Sequence, residues 1–545
     1  MNMTFRISYG LIGLLLTVFI SSQAMGDSFG KSWIRAYQSE SMKFIPAGSE
    51  WAAATPGRHP VWAQKLINQY FAYEPWDQTP TPLGDCDLFK LREAIRQVSD
   101  NRFRNQIVQK YRSQCASYFH EGPSNSLQQA LKVFSMKYDV DSNPFFHRIV
   151  FFLPDGQKLK AVLAMKDLKK RPLVIVRAGI TGNVEEAFAE RFFLYDFFER
   201  GLFNVLLVEN MTSTDYIHYN RRLDFGGLTE SYQNIWLAQT LTSPSQPFSR
   251  FVQSVHLVGL SLGGQGVLTA AWLARYQKNP KLFSSFMAFC PLVNTTETFD
   301  YLFKKSWLRF PLEVWAHSRF KEYKAIRPDL FKSYWGLAPH LLSAVAQNYH
   351  RPPAALLGVK EPWFVQRQNN NYYSLHELSR WDPTLRDPVW IWVTDQDPAV
   401  PVRLNTGQLQ LANALHISEG EHCSFPVVWD NRVFSTILNG YIMGSSRWQV
   451  PEKQIKLDIT PSVNWQLGNI QILDGASVVQ VELTAREGKM KKTFSINRSD
   501  LDFQFRSAKL SPHEVWMVKR WLATNLHWQA DTTGLSVLVS WPMVK

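Results

Sequence analysis

Val255-His256-Leu257-Val258-Gly259-Leu260-Ser261-Leu262-Gly263-Gly264-Gln265-Gly266 carries the reading of this chain. The apolar run predicts a short buried strand. Gly-x-Ser-x-Gly predicts a sharp turn, and the residues through Val267 to Arg275 predict a helix. A serine hydroxyl is a weak nucleophile and must stand where a base can reach it. Gly259 and Gly263 leave room, where strand and helix cross, that any Cβ would fill. Ser261 is therefore the candidate nucleophile. The bare pattern also arises by chance, so the strand before it and the helix after it are what give it weight.

In this setting the partners follow in the order serine, acid, histidine. Pro388 to Thr394 reads as a buried strand, and Asp395-Gln396-Asp397-Pro398-Ala399-Val400-Pro401 as the loop after it. The loop resembles the acid loop of α/β-hydrolases, in which an Asp before such a turn orients the histidine. The resemblance assigns that role to Asp397, with Asp395 as the neighbouring alternative. A helical stretch from Arg403 to Leu415 and a short strand, His416-Ile417-Ser418, come next. The loop Glu419-Gly420-Glu421-His422-Cys423-Ser424-Phe425 resembles the histidine loop of the same superfamily, which makes His422 the candidate base. It would take the proton from Ser261 and return it to the leaving group. The chain has 13 histidines, most of which must be structural. His256 lies within the elbow strand and His416 opens another.

A serine hydrolase also needs donors for the oxyanion. Arg171 to Arg177 reads as a strand and Ala178-Gly179-Ile180-Thr181-Gly182-Asn183 as its loop, with a helix from Val184 to about Arg200. The superfamily often has His-Gly-x-x-Gly here. This chain has Ala178 in place of the His and keeps both glycines, which matters little because the donors are backbone N–H groups. The resemblance implies Leu262 and Ile180 as those donors. The plain alternative is a β-to-α turn rich in small residues.

The resemblance spans about residues 145 to 443 and implies an α/β fold, a doubly wound, mostly parallel sheet. Phe145 to Leu153, Asp155-Gly156 and Leu159 to Met165 signal an opening hairpin. Leu173–Val176, Asn204–Val208 and Ser285–Phe289 read as further strands, with a helix near Glu230–Leu241, in the alternation such a sheet requires. The hydrolase region is bounded at 144–446. An insertion at about 294–381 holds many aromatics, among them Tyr301, Phe303, Phe310, Trp315, Phe320 and Trp335, as a helical cap would. Those rings suit contact with substrate and equally suit packing the cap onto the body.

At 545 residues the chain exceeds one ordinary domain, and 45% hydrophobic with 19% charged residues describes a globular protein. Net charge is +13, which suits anionic envelope surfaces and, if dispersed, is merely a solvated excess. Residues 1–24 read as a secretory signal, with Arg6, an apolar stretch from Leu11 to Ile20 and Ser22-Gln23-Ala24 as the cleavage site. Export to the periplasm or beyond follows, with retention as an anchor the alternative. Residues 27–143 read as a helical N-terminal region, from Trp62 to Phe71 and from Leu88 to Tyr118. Residues 447–545 read as a small β-rich accessory domain. Its signals are a hairpin around Glu487-Gly488, a capping box at Ser511-Pro512-His513-Glu514 and a last strand from Leu535 to Trp541. Of the four cysteines, Cys86 and Cys115 are expected to pair in an oxidising compartment, and Cys290 and Cys423 to stay reduced. No metal-ligand spacing, cofactor motif or nucleic-acid motif is present. The expected activity is ester hydrolysis through an acyl-enzyme, on a small-molecule or lipid ester. A peptidase, an acyltransferase or a non-catalytic binding protein on the same scaffold are the alternatives.

Overall fold

The computed structural model describes residues 37–45, 87–119, 146–165, 170–184 and most of 194–446, together with five strands between 465 and 539. Nine strands form one sheet: β1 Met42–Phe44, β2 Phe146–Phe152, β3 Lys158–Ala164, β4 Arg171–Arg177, β5 Asn204–Val208, β6 Val252–Leu260, β7 Ser285–Phe289, β8 Val389–Thr394 and β9 Leu415–Ile417. Their spatial order is β1-β2-β3-β5-β4-β6-β7-β8-β9. The first three pairings are antiparallel, and every pairing from β5 to β9 is parallel. This mostly parallel, helix-connected sheet with an antiparallel start is the α/β-hydrolase fold.

Local chemistry explains the elements. The β2–β3 hairpin turns at Asp155-Gly156, where the Asp155 carboxylate accepts the Gln157 N–H at 3.1 Å. The parallel strands are mostly apolar and almost wholly buried because helices cover both faces. Side chains alternate between the faces. Leu173, Ile175 and Leu257 pack with the helices Gly227–Thr242 and Leu262–Ala274. Val174, Val176, Val258, Phe289, Trp390 and Trp392 point the other way, toward the helices Leu88–Gln97 and Asn431–Ser446. Trp390 and Trp392 meet edge to face at 5.1 Å. Each ring of that size contributes a few kcal/mol on burial, which anchors the strand that carries the acid loop.

The N-terminal region differs from a purely helical one. Met42 to Phe44 adds an edge strand against β2, too short for a period-two pattern to show in sequence. Leu88–Gln97 and Asn101–Gln114 are helices, each capped by an aspartate side chain, Asp87 and Asp100. They lie on the sheet: Leu91, Ile95 and Val108 join its core, and the Trp390 indole donates to Asn105 Oδ1 at 2.7 Å. Cys115 is disulfide-bonded, whereas Cys290 and Cys423 are free. Cys86, the expected partner, lies outside the described residues, as do the signal segment, Trp62 to Phe71, Glu487-Gly488 and the capping box. Leu194, Phe197 and Phe198 are helical and buried, but most of the helix expected from Val184 is outside them too. No helix among the described residues is long and apolar enough to cross a membrane.

Between β7 and β8 the chain forms short helices, including Thr295–Asp300, Arg309–Arg319 and Leu337–Gln347. Their rings divide as both readings allow. Phe299 stacks on Phe303 at 5.6 Å and Phe320 is buried, while Phe310 and Trp335 are exposed. Beyond 446, β10 Trp465–Leu473, β11 Val478–Ala485 and β12 Lys491–Asn497 form an antiparallel sheet, with Val479 opposite Ile496 and Val481 opposite Phe494. β13 Leu526–Asp531 and β14 Gly534–Val539 form a separate hairpin.

Candidate active site

Ser261 ends β6 and begins the helix Leu262–Ala274 with φ 53° and ψ −116°. A residue with a Cβ pays on the order of 1–3 kcal/mol there and stays only if its surroundings fix it. They do. The Ser261 N–H donates to the Phe289 carbonyl at 2.8 Å, and the Ser261 carbonyl accepts from Gln265 at 3.2 Å and Leu292 at 3.3 Å. The two glycines of the motif are required by close approach. A Cβ on Gly259 would lie 2.4 Å from the Gly263 carbonyl oxygen, and one on Gly263 would lie 2.4 Å from that of Ala178.

The two aspartates of the acid loop have different partners. Asp397 is buried, and its Oδ2 accepts from His422 Nδ1 at 2.7 Å. Its Oδ1 accepts the N–H groups of Ala399 at 2.8 Å and Val400 at 2.7 Å, so the carboxylate is locked by its own turn. Asp395 pairs instead with His416, Oδ1 to Nδ1 at 2.8 Å, on the surface. Burial disfavours the charged imidazole of His422, but the adjoining Asp397 outweighs it and lifts the His422 pKa to about 9. His256, by contrast, is buried without a charged partner and drops to about 3. It bridges Ser254 and Ser285, which is a structural role.

The histidine loop is tied to the elbow through one carbonyl. Phe289, at the end of β7, accepts the Ser261 N–H and also the Cys423 thiol at 3.4 Å. His422 precedes that cysteine, so its loop is anchored on the atom that also holds the Ser261 N–H.

The loop after β4 lies alongside. An added Cβ on Gly179 would sit 3.5 Å from the Ser261 Cβ. The amides of Ala178, Thr181 and Gly182 are taken by the Val208 carbonyl, Thr212 Oγ1 and the Gly179 carbonyl. Those of Gly179 and Ile180 find no acceptor among the described residues. The Leu262 N–H opens a helix, where the first amides have no partner within the helix. Amides with no acceptor among the described residues thus occur in the loop beside Ser261 and at the start of the helix after it.

Sequence reasoning missed what holds this loop. Asn210 Nδ2 donates to the Ala178 carbonyl at 3.1 Å and to Glu230 Oε1 at 2.7 Å, while Asn210 Oδ1 accepts from the Thr212 backbone at 3.0 Å. Burial raises the Glu230 carboxyl to about 7, against the opposing pull of Arg177. The sequence signal is a mostly polar run, Glu209-Asn210-Met211-Thr212-Ser213, directly after the apolar stretch Val205–Val208. Spacing also gave no hint that Cys290, His422 and Cys423 converge.

No protein-family model and no curated protein sequence matches the chain. Solved structures similar to it include a hyperthermophilic esterase from the archaeon Pyrobaculum calidifontis, at 14% identity and TM-score 0.33, covering 72% of this chain and 98% of that one. An esterase from Pyrococcus furiosus matches at 16% identity and TM-score 0.32, over 54% and 90% of the two chains. Dipeptidyl peptidase 4 from Porphyromonas gingivalis matches at 14% identity and TM-score 0.30, over 53% of this chain and only 33% of that protein. The strand order and the turn at Ser261 give this chain its fold independently of these likenesses.

Proposed function

We propose that the protein is an exported serine hydrolase that cleaves carboxylic esters through an acyl-enzyme. Ser261 attacks the carbonyl carbon. His422 takes the hydroxyl proton and passes it to the leaving alkoxide, and Asp397 holds the imidazole through Nδ1 and stabilises its charged form. The N–H groups of Leu262 and Ile180 receive the oxyanion. Water, activated by the same histidine, then releases the acid. The observation that carries this reading is the part-buried 2.7 Å contact between His422 Nδ1 and the buried Asp397 carboxylate, on a loop tied to the strained Ser261 through Phe289.

Amide hydrolysis would use the same groups. Ester preference rests on the exposed aromatic side chains of the cap segment, Phe310 and Trp335, whose rings lie 5.7 Å apart and suit an apolar acyl or alkyl chain. Export rests on the N-terminal segment alone. A fluorophosphonate should label the protein at Ser261, and Ser261→Ala should abolish that labelling with the fold intact. A panel of p-nitrophenyl esters beside peptide anilides decides the leaving group. Faster turnover of the anilides would overturn the ester reading, and undiminished labelling of Ser261→Ala would overturn the nucleophile.

A further inference from the structure

Cys290 and Cys423 take no part in the chemistry proposed above. Yet their Sγ atoms and a ring nitrogen of His422 all lie within 4.8 Å of one another. Ligand atoms bound at 2.0–2.3 Å to one centre stand no more than about 4.6 Å apart, so little movement separates this arrangement from a coordination shell. The cysteines come from distant parts of the chain, one on the loop leaving β7 and one on the histidine loop. Both hold left-handed backbone conformations, φ 43° at Cys290 and 55° at Cys423, which side chains with a Cβ seldom adopt. Both are fastened to the sheet: the Cys290 N–H donates to the Trp392 carbonyl at 2.8 Å, and the Cys423 thiol to that of Phe289 at 3.4 Å.

The geometry points to a binding site for a thiophilic metal ion, with Cys290 Sγ, Cys423 Sγ and His422 Nε2 as its protein ligands. Nδ1 is taken by Asp397 at 2.7 Å, which leaves Nε2 for the ion. A carboxylate on the far nitrogen is the arrangement that orients metal-binding imidazoles. Two sulfurs and one imidazole select zinc and its soft relatives over magnesium or calcium, and three protein ligands leave a fourth position for water. As each sulfur–metal bond forms, the thiol gives its proton to solvent and the ion sheds a water. Two thiolates then balance a divalent charge. Cys290 is buried while His422 is 27% exposed, so the ion enters from the histidine side. Binding does not rest on the hydrolase reading. Its consequence does: an ion on Nε2 removes the base Ser261 needs, and the loaded protein is silent.

The test uses the full chain, treated with a mild monothiol reductant that leaves the buried Cys115 disulfide closed, as a count of two free thiols verifies, and then desalted. Co2+ and Cd2+ titrations should each saturate at one equivalent with a thiolate-to-metal charge-transfer band, and Zn2+ should displace Co2+. Cys290→Ser and Cys423→Ser should each weaken binding by at least about tenfold, since losing even an outer-shell partner costs that much. The wild-type protein gives a second measure that needs no variant. Bound Cd2+ should protect Cys290 and Cys423 together from alkylation, read by peptide mapping. Zn2+ should also suppress fluorophosphonate labelling, and a chelator should restore it. Absence of the charge-transfer band in reduced wild type overturns the site, as does a band that persists in both variants. Closure of a Cys290–Cys423 disulfide that the metal does not prevent overturns it too. Binding with undiminished labelling overturns Nε2 as the third ligand. A protein that never labels would refute the hydrolase reading alone, because the metal titration is read independently.

Discussion

Two aspartate–histidine pairs stand at the same end of the sheet, built from aspartates two residues apart. Their contacts are nearly identical, 2.8 Å for Asp395 with His416 and 2.7 Å for Asp397 with His422. Length therefore does not tell them apart. Surroundings do. The side chains of His416 and Asp395 are 41% and 46% exposed, whereas those of His422 and Asp397 are 27% and 1% exposed. Water screens the outer pair, and the inner pair acts through a lower dielectric in which the same charges interact several-fold more strongly. The inner carboxylate is also immobilised by two backbone amides, and its histidine loop is pinned to the elbow. A short hydrogen bond marks proximity alone, while burial and fixation set apart the pair proposed to serve the reaction.

The sharpest way to break this comparison is to remove the two histidines in turn. His422→Ala should cost on the order of a million-fold in kcat, about as much as Ser261→Ala, because the two act as a unit. His416→Ala should change kcat by no more than about twofold, the ordinary range for a surface substitution. Comparable losses from both would mean that the exposed pair also serves the reaction.

The aspartates come next. Asp397→Asn leaves the shape but spoils the acceptor for Nδ1, and should lower kcat by about 10⁴-fold. Asp395→Asn should stay within about twofold. Steady-state kinetics on one activated ester suffices, and the reverse order would move the acid to Asp395.

A smaller effect, spread over pH, separates the pairs again. His422 is held at a pKa of about 9, above its ordinary 6.5, and a base must be neutral to act. The rate kcat/KM should therefore climb about tenfold per pH unit on the acid side and level off only above about 9. Stability runs the opposite way. A raised pKa means the fold favours the charged ring, so the stability His422 contributes is fully present below 6.5 and is lost as pH rises through about 9. Denaturant midpoints of wild type and His422→Ala should converge across that window. His416→Ala should leave the kinetic limb in place. A limb centred near 6.5 would show that the Asp397 contact does not govern the base.

The least effect belongs to the outer pair's own contribution. Removing it by Asp395→Asn should change unfolding free energy by about 0–1 kcal/mol, with any difference fading at high salt. A larger, salt-insensitive loss would mean the pair is not solvated as the structure has it.

The elbow around Ser261, the succession of strands and helices along the chain, and the order of the acid and histidine loops were legible in the chain. Gly259, Gly263, the apolar strands and the Asp155-Gly156 turn act on near neighbours, where backbone sterics and alternation decide. The choice of Asp397 over Asp395 was available only through resemblance, since both occupy one loop and differ in what folds over them. Other features were not legible at all. The strand Met42–Phe44 is too short to show a period, and the Asn210, Thr212 and Glu230 support of the Ile180 loop joins segments that meet only once the sheet forms. The convergence of Cys290 and Cys423 on His422 belongs to the same class. Sequence by itself determined most of the elements and their succession along the chain, because turn sterics and hydrophobic periodicity are local. Tertiary structure alone decided which polar groups meet, because desolvation and hydrogen bonding depend on what the rest of the chain brings within a few ångströms.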